Sequence, residues 1–378
     1  MADMGEIVRG ESEQYLRTHR ATREQRKALA FMGRCRTESM GVLNKAVCEG
    51  CGVEYPVFRS CRNRNCPGCQ AAARAAWLEA REQELLDVPY FHVVFTVPEE
   101  LNVIALWCPQ VFYAALLRAA GQALLDVGLS KLEARLAVLT ILHTWGQNLW
   151  LHPHAHCVVP GGGFSIDGKR WISVPNPQYL LPVKVLSRRF RTLLCRQLRR
   201  AAGAGQLHRL PPEISAEQTI ATVASKKWIV YAKPPFGGPE QVLEYLSQYT
   251  HRVAISNSRI LAYENHQVTF RWRDYADSNR VKECTIEAQE FLRRFLMHVL
   301  PERFVRIRYF GFWSNRHRTE NIQRARVLIG QREPLRFRAE RVKPQRLCPD
   351  CRAALLVASH DPLQSTATLR SPPAANAA

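Results

Sequence analysis

His152-Pro153-His154-Ala155-His156-Cys157-Val158-Val159, closed by Pro160-Gly161-Gly162-Gly163, decides how the chain is read. Its β-branched end and the glycines that stop it predict a strand over residues 149–159. Side chains alternate faces along a strand, so His154 and His156 point the same way. Two imidazoles held side by side leave ring nitrogens in need of partners. A shared divalent cation, Mg²⁺ or Mn²⁺, would supply them, and imidazole suits manganese better. His154 and His156 are therefore candidate metal ligands. Such a site needs at least one further ligand. His152 continues the same face, although Pro153 makes a regular strand doubtful there. His143, Gln147 and Asn148 lie upstream, and Gln248 could bring an amide oxygen from a distant segment. The spacing does not choose among them.

Outward from this stretch, residues 90–97 (YFHVVFTV) are aromatic and β-branched between two prolines and predict a buried strand. Residues 228–232 read as a third strand, and residues 164–174 as a hairpin turning at Asp167-Gly168. Helices are expected over 71–87, 109–127 and 183–203. In the last, Leu186, Phe190, Leu194 and Leu198 share a stripe while Arg188, Arg189, Arg191, Arg196, Arg199 and Arg200 cover the rest. A helix starting near Pro239 carries Val242, Tyr245, Leu246 and Tyr249 on one face. A hairpin over 261–275 and 280–287 and a helix over 288–299 complete the pattern. Taken alone, Tyr-x3-Tyr is more often packing than chemistry. Here Lys226, Lys227, Lys233, His251 and Arg252 bracket it with positive charge, which favours loss of a phenolic proton. A metal that polarises a phosphate and a phenol that attacks it are the minimum needed to cut DNA without water.

The net charge of +20 over 378 residues, with a pI near 9.8, points to a polyanionic partner, above all nucleic acid. No stretch reads as a membrane span, and the polar amino end shows no signal-peptide pattern, so the chain reads as cytoplasmic. Twelve cysteines in a reducing compartment argue for metal ligation over disulfides. Cys48-Glu49-Gly50-Cys51 and Cys66-Pro67-Gly68-Cys69 are two knuckles at zinc-ribbon spacing, which predicts that Cys48, Cys51, Cys66 and Cys69 share one structural Zn²⁺. Arg62 and Arg64 lie beside the second knuckle as candidate phosphate contacts. Cys35 and Cys61 are left over, either as ligands or as packing residues. Cys348-Pro349-Asp350-Cys351 is a lone knuckle, half a zinc site, with His317, His360 and Cys284 as candidates to complete it. Residues 303–346 are densely basic, and the tail beyond about 355 has a disordered composition.

Several of these pieces together resemble the IS91 family of insertion-sequence transposases, within the HUH (histidine, hydrophobic, histidine) endonuclease superfamily. They are Tyr90 to Leu101, Leu142 to Gln147, His152 to Gly163, Leu243 to Arg259 and Tyr309 to Arg318. Ser60 to Gln70 is similar to that family's amino-terminal zinc-binding domain, with Asn65 where the family commonly has histidine. The likeness spans about residues 15–355.

The resemblance implies an α+β fold, a ferredoxin-like antiparallel HUH nuclease sheet with helices, preceded by a small zinc-ribbon domain. It implies His154 and His156 as ligands and Tyr245 and Tyr249 as a nucleophile pair. It further implies rolling-circle-like transposition through single-stranded DNA at element ends. Four segments are expected: a helical lead-in and zinc domain (1–85), a catalytic domain (86–262), a basic extension (263–346) and a tail (347–378). Lys226, Lys227, Lys233 and Arg252 are candidate DNA contacts, and Trp272 and Trp313 candidate base-stacking residues. A plasmid relaxase or replication initiator with the same chemistry is one rival. A zinc-dependent DNA-binding protein without enzymatic activity is the other.

Overall fold

The structure is a computed structural model describing residues 2–233, 241–242, 253–275, 277–331, 348, 350–351 and 353–357; of 71–73 and 357 only the backbone is described. Tyr245, Gln248, Tyr249, Arg252 and the tail beyond 357 lie outside the described residues.

The chain opens with α1 (Met4–Thr18), capped by the Asp3 carboxylate accepting from the Glu6 amide, and α2 (Arg23–Arg34). Then come β1 (Val42–Cys48), β2 (Glu54–Phe58), α3 (Gln70–Glu82), β3 (Tyr90–Thr96), α4 (Asn102–Trp107) and α5 (Pro109–Leu132). Next are β4 (Ala134–Arg135), β5 (Ala137–Trp145), β6 (Leu151–Pro160), β7 (Gly162–Ser165) and β8 (Trp171–Ser173). They lead into α6 (Val183–Gly203), α7 (Ala216–Ser225) and β9 (Val230–Lys233). After residue 252 follow β10 (Ile260–Glu264), β11 (Gln267–Asp274), β12 (Arg280–Glu287), α8 (Ala288–Leu296), β13 (Ile307–Gly311), α9 (Arg318–Ile329) and β14 (Leu355–Val357).

The elements form two compact units, Met1–Gly33 with Arg62–Arg338 and Arg34–Cys61 with Ala339–Ala378. Each is thus assembled from separated stretches of chain. The larger is α+β, built on a five-stranded antiparallel sheet in the order β13-β5-β6-β3-β9. Alternation sorts its residues. Phe91, Val93, Phe95, Val138, Leu142, Ala155, Cys157 and Val159 turn to one face, where they join a core with residues of α5, α6 and α7. The stripe Leu186, Phe190, Leu194 and Leu198 of α6 is fully buried there, as its spacing requires. Tyr90, Leu139, Ile141 and Val158 turn to the other face, in a second core with Leu78, Val242, Trp313 and Ile322.

Two findings bear on these expectations. α5 is long and apolar enough to cross a membrane by length and composition. Its apolar residues run all round because most of it is buried against the sheet and α6. The basic extension is not separate from the sheet, because it supplies edge strand β13, paired with β5 from Ile307↔Ile141 to Gly311↔Ala137. The glycines after β6 do more than end a strand. A Cβ on Gly163 would lie 2.4 Å from the Arg135 carbonyl oxygen, so only glycine lets β7 pack so closely against β4.

Candidate active site

Three adjacent strands build the site in the larger unit. β5 and β6 pair with His143 opposite His154 and Ile141 opposite His156. The period of two then puts His143, His154 and His156 on one face, with a potential ligand nitrogen of each within 4.8 Å of the others. β3 lies on the other side of β6 and adds His92, whose Nε2 is 2.8 Å from His156 Nδ1. His143 stacks on Trp145, centroids 4.6 Å apart. His154 is the partly open member of the set, whereas His143 and His156 are buried.

The donor set fits a divalent cation. His154 Nδ1 is 2.7 Å from the His152 carbonyl, so it carries the hydrogen and donates, leaving Nε2 with the lone pair. That Nε2 is 3.1 Å from His156 Nε2. A His156 tautomer whose Nδ1–H donates to His92 turns a second lone pair toward the same point. Two lone pairs this close need either a proton between them or a shared cation, and outer partners such as the His152 carbonyl and His92 are what orient metal-binding imidazoles. Burial favours the neutral rings that a cation requires. It pushes the pKa of His154 down to about 4 and that of His92 to about 3, with the Lys233 charge adding to the latter. His156 is held well below the usual histidine range, first by burial and then by its histidine neighbours and Lys233.

A family model described as "Putative transposase" matches residues 137–321, which contain the three histidines. A second, "Transposase zinc-binding domain", matches residues 7–97. "Putative transposase y4qJ" of Sinorhizobium fredii (strain NGR234) is 45% identical over 341 residues, 88% of this chain and 85% of that protein. The chain belongs to the IS91 transposase family. The transposase is also 29% identical over 276 residues to the "Transposase for insertion sequence element IS801" of Pseudomonas savastanoi pv. phaseolicola, 70% of this chain and 63% of that one. Among solved structures, the conjugative relaxase TrwC with oriT DNA aligns over 42% of the transposase and 70% of its own chain at 13% identity, with a TM-score of 0.23, too low to carry an argument.

The other candidate residues are distributed as follows. Lys227 and Lys233 are exposed, the latter on β9 opposite His92. Lys226 is also exposed and is paired with Glu100. Arg62 is exposed, but Arg64 is half-buried and donates from Nη1 to the Phe304 carbonyl at 2.9 Å. Trp313, expected to stack on bases, is 6% exposed and packs on Tyr90 and Phe312, so it serves the core instead. Trp272 remains half-exposed.

The four-cysteine expectation is corrected. Cys48 and Cys51 gather with Cys348 and Cys351, all four sulfurs within 4.8 Å of one another, because β1 pairs with β14. Cys66 and Cys69 belong to the larger unit, in the turn that opens α3. His143 had been one of several possible third ligands. The signal that singles it out is its place opposite His154 in the strand register.

Proposed function

We propose that this transposase nicks and rejoins single-stranded DNA at the ends of its element, through a 5′-phosphotyrosine and in a rolling-circle-like cycle. The observation that carries this reading is the convergence of His143, His154 and His156 on a sheet face shared with Val242. Val242 is the first residue of the stripe Val242, Tyr245, Leu246, Tyr249, whose sequence spacing is that of one helix face. His143 takes the third ligand position, for which Gln248 was also a candidate. When bound there, Mg²⁺ or Mn²⁺ would polarise the scissile phosphate.

The chain's own residues do the rest. His92 and the His152 carbonyl fix the imidazole tautomers. One tyrosine Oη gives up its proton and attacks phosphorus. The bond to the 3′ oxygen breaks, and that oxygen takes up a proton as a free 3′-hydroxyl. The energy of the broken phosphodiester is kept in the phosphotyrosine, so rejoining needs no nucleotide cofactor. The second tyrosine allows another cleavage while the first link persists. Lys227, Lys233 and the exposed Arg188, Arg196, Arg199 and Arg200 of α6 offer cations for strand phosphates.

The test is formation of a covalent adduct, stable in detergent, between the protein and a single-stranded oligonucleotide of the element end with Mn²⁺ present. Wild type should form it. Tyr245→Phe/Tyr249→Phe should bind the oligonucleotide and form none. An adduct that survives the double substitution, or its absence from wild type, overturns the proposal.

A further inference from the structure

Cys48, Cys51, Cys348 and Cys351 sit in the smaller unit, and nothing in the nicking chemistry calls on them. Their surroundings are those of a built site. Cys48 N–H donates to the Val53 carbonyl at 3.0 Å, and Cys348 N–H donates to the Ala353 carbonyl at 2.8 Å. Both bonds span the same number of residues, so the two knuckles close their backbones alike. The sulfurs face each other across the pair, with Cys48 Sγ 3.2 Å from Cys351 Sγ and Cys51 Sγ 3.8 Å from Cys348 Sγ. A tetrahedral ion with Zn–S bonds near 2.3 Å separates its sulfurs by about 3.8 Å.

Other contacts hold this arrangement. β14 lies antiparallel to β1, with Cys48 opposite Leu355, and Glu49 N–H donates to the Ala354 carbonyl at 3.0 Å. The amides of Gly50 and Cys51 point at Cys48 Sγ from 3.3 and 3.4 Å, an arrangement that favours a thiolate. A Cβ on Gly50 would come within 2.7 Å of the Ala353 Cβ and 3.2 Å of Cys351 Sγ, so glycine lets the second knuckle approach. Tyr55 Oη bridges Cys348 Sγ at 3.3 Å and the Asp350 carboxylate at 2.5 Å. Among the described residues of this unit, the buried apolar side chains are Ala46, Cys48, Val57 and Cys348. So small a core does not order a domain without help. Four thiolates crowded together also repel unless a cation lies among them.

We propose that Cys48, Cys51, Cys348 and Cys351 together hold a single Zn²⁺, an ion whose site is half amino-terminal and half carboxy-terminal. It is a structural closure independent of the nuclease chemistry. Each knuckle supplies two ligands, so neither end of the chain retains the metal alone.

The experiment measures zinc per chain in the full-length reduced protein. Cys48→Ser/Cys51→Ser and Cys348→Ser/Cys351→Ser should each lose one equivalent relative to wild type, and the fourfold variant no more than either. Wild-type zinc in Cys348→Ser/Cys351→Ser, or a fourfold loss equal to the sum of the two pairs, overturns the proposal. Alkylation of the unmutated protein gives a readout that does not depend on how the variants fold. With a zinc chelator the four cysteines should react together, at least ~10-fold faster than without it. Cys348 and Cys351 reacting at one rate whether or not the chelator is present would also overturn it.

Discussion

The two units hold their candidate metal ligands in opposite ways. The histidines project from neighbouring strands of a sheet with a large apolar core on one face and a second core on the other. Their positions follow from the sheet, and a cation would find them already arranged. The cysteines sit on two short knuckles with, among the described residues, little core beneath them, and β1 pairs with β14 to join those knuckles. In the first unit the fold prepares the site; in the second, on the zinc proposal above, the metal would prepare the fold. The contrast separates chemistry from architecture, and each half of it can be attacked by experiment.

The largest effect is expected from His143→Ala. Loss of a ligand should lower covalent adduct formation on the order of 10³-fold, the scale of a lost transition-state contact, while the melting temperature moves by only a few degrees. An unchanged adduct yield would remove His143 from the site. His92→Ala touches only an outer partner, so its deficit should be smaller, roughly 10–100-fold in metal affinity, and should be relieved by raising Mn²⁺.

Acid should weaken the larger unit through His298, which is buried with Nε2 3.0 Å from the Leu149 carbonyl and Nδ1 3.1 Å from Thr144 Oγ1. Burial pushes its pKa down to about 4. An unfolded histidine titrates near 6.5, so below that pH the unfolded chain binds the proton the folded one refuses. The neutral ring's contribution is fully present above about pH 6.5 and is lost as pH falls toward 4, a change of about 3 kcal/mol over that window. Urea unfolding at pH 7.5 and 4.5 should show it, and His298→Asn should flatten the dependence.

Metal removal sharpens the contrast next. A chelator strong enough for zinc should raise proteolytic cleavage within 34–61 and 348–357 by about 10-fold and leave hydrogen exchange in β5 and β6 unchanged. Equal protection of both regions would mean that the smaller unit orders itself without an ion. The smallest effect belongs to Lys227→Ala. Affinity for single-stranded DNA should fall a few-fold, and the slope of log K against log salt should shrink by about 0.7, as for one lost phosphate contact.

The larger unit was legible where periodicity speaks. The stripe of α6, the strand of His154 and His156 and the apolar run of β3 all read correctly from local pattern, because burial of one face imposes the spacing. What failed was pairing at a distance. The two knuckles at 48–51 and 66–69 looked like a matched set because they are close in sequence. Yet Cys48 and Cys51 meet Cys348 and Cys351 through a strand pairing that no local spacing encodes. The role of β13 was hidden in the same way, since a basic segment gives no sign of which sheet edge it joins. Trp313 was misread because aromatic residues in a charged segment look available until packing is known. The tyrosine stripe remains a sequence expectation beyond Val242.

The pairing of β1 with β14 has a consequence for biosynthesis. Cys51 and Cys348 are 297 residues apart. At 5–20 residues per second, a ribosome that has just made the first knuckle needs about 15 to 60 s to deliver its counterpart. The small unit therefore cannot close before β14 has been made, and a message cut short before β14 yields a product whose first knuckle lacks its counterpart.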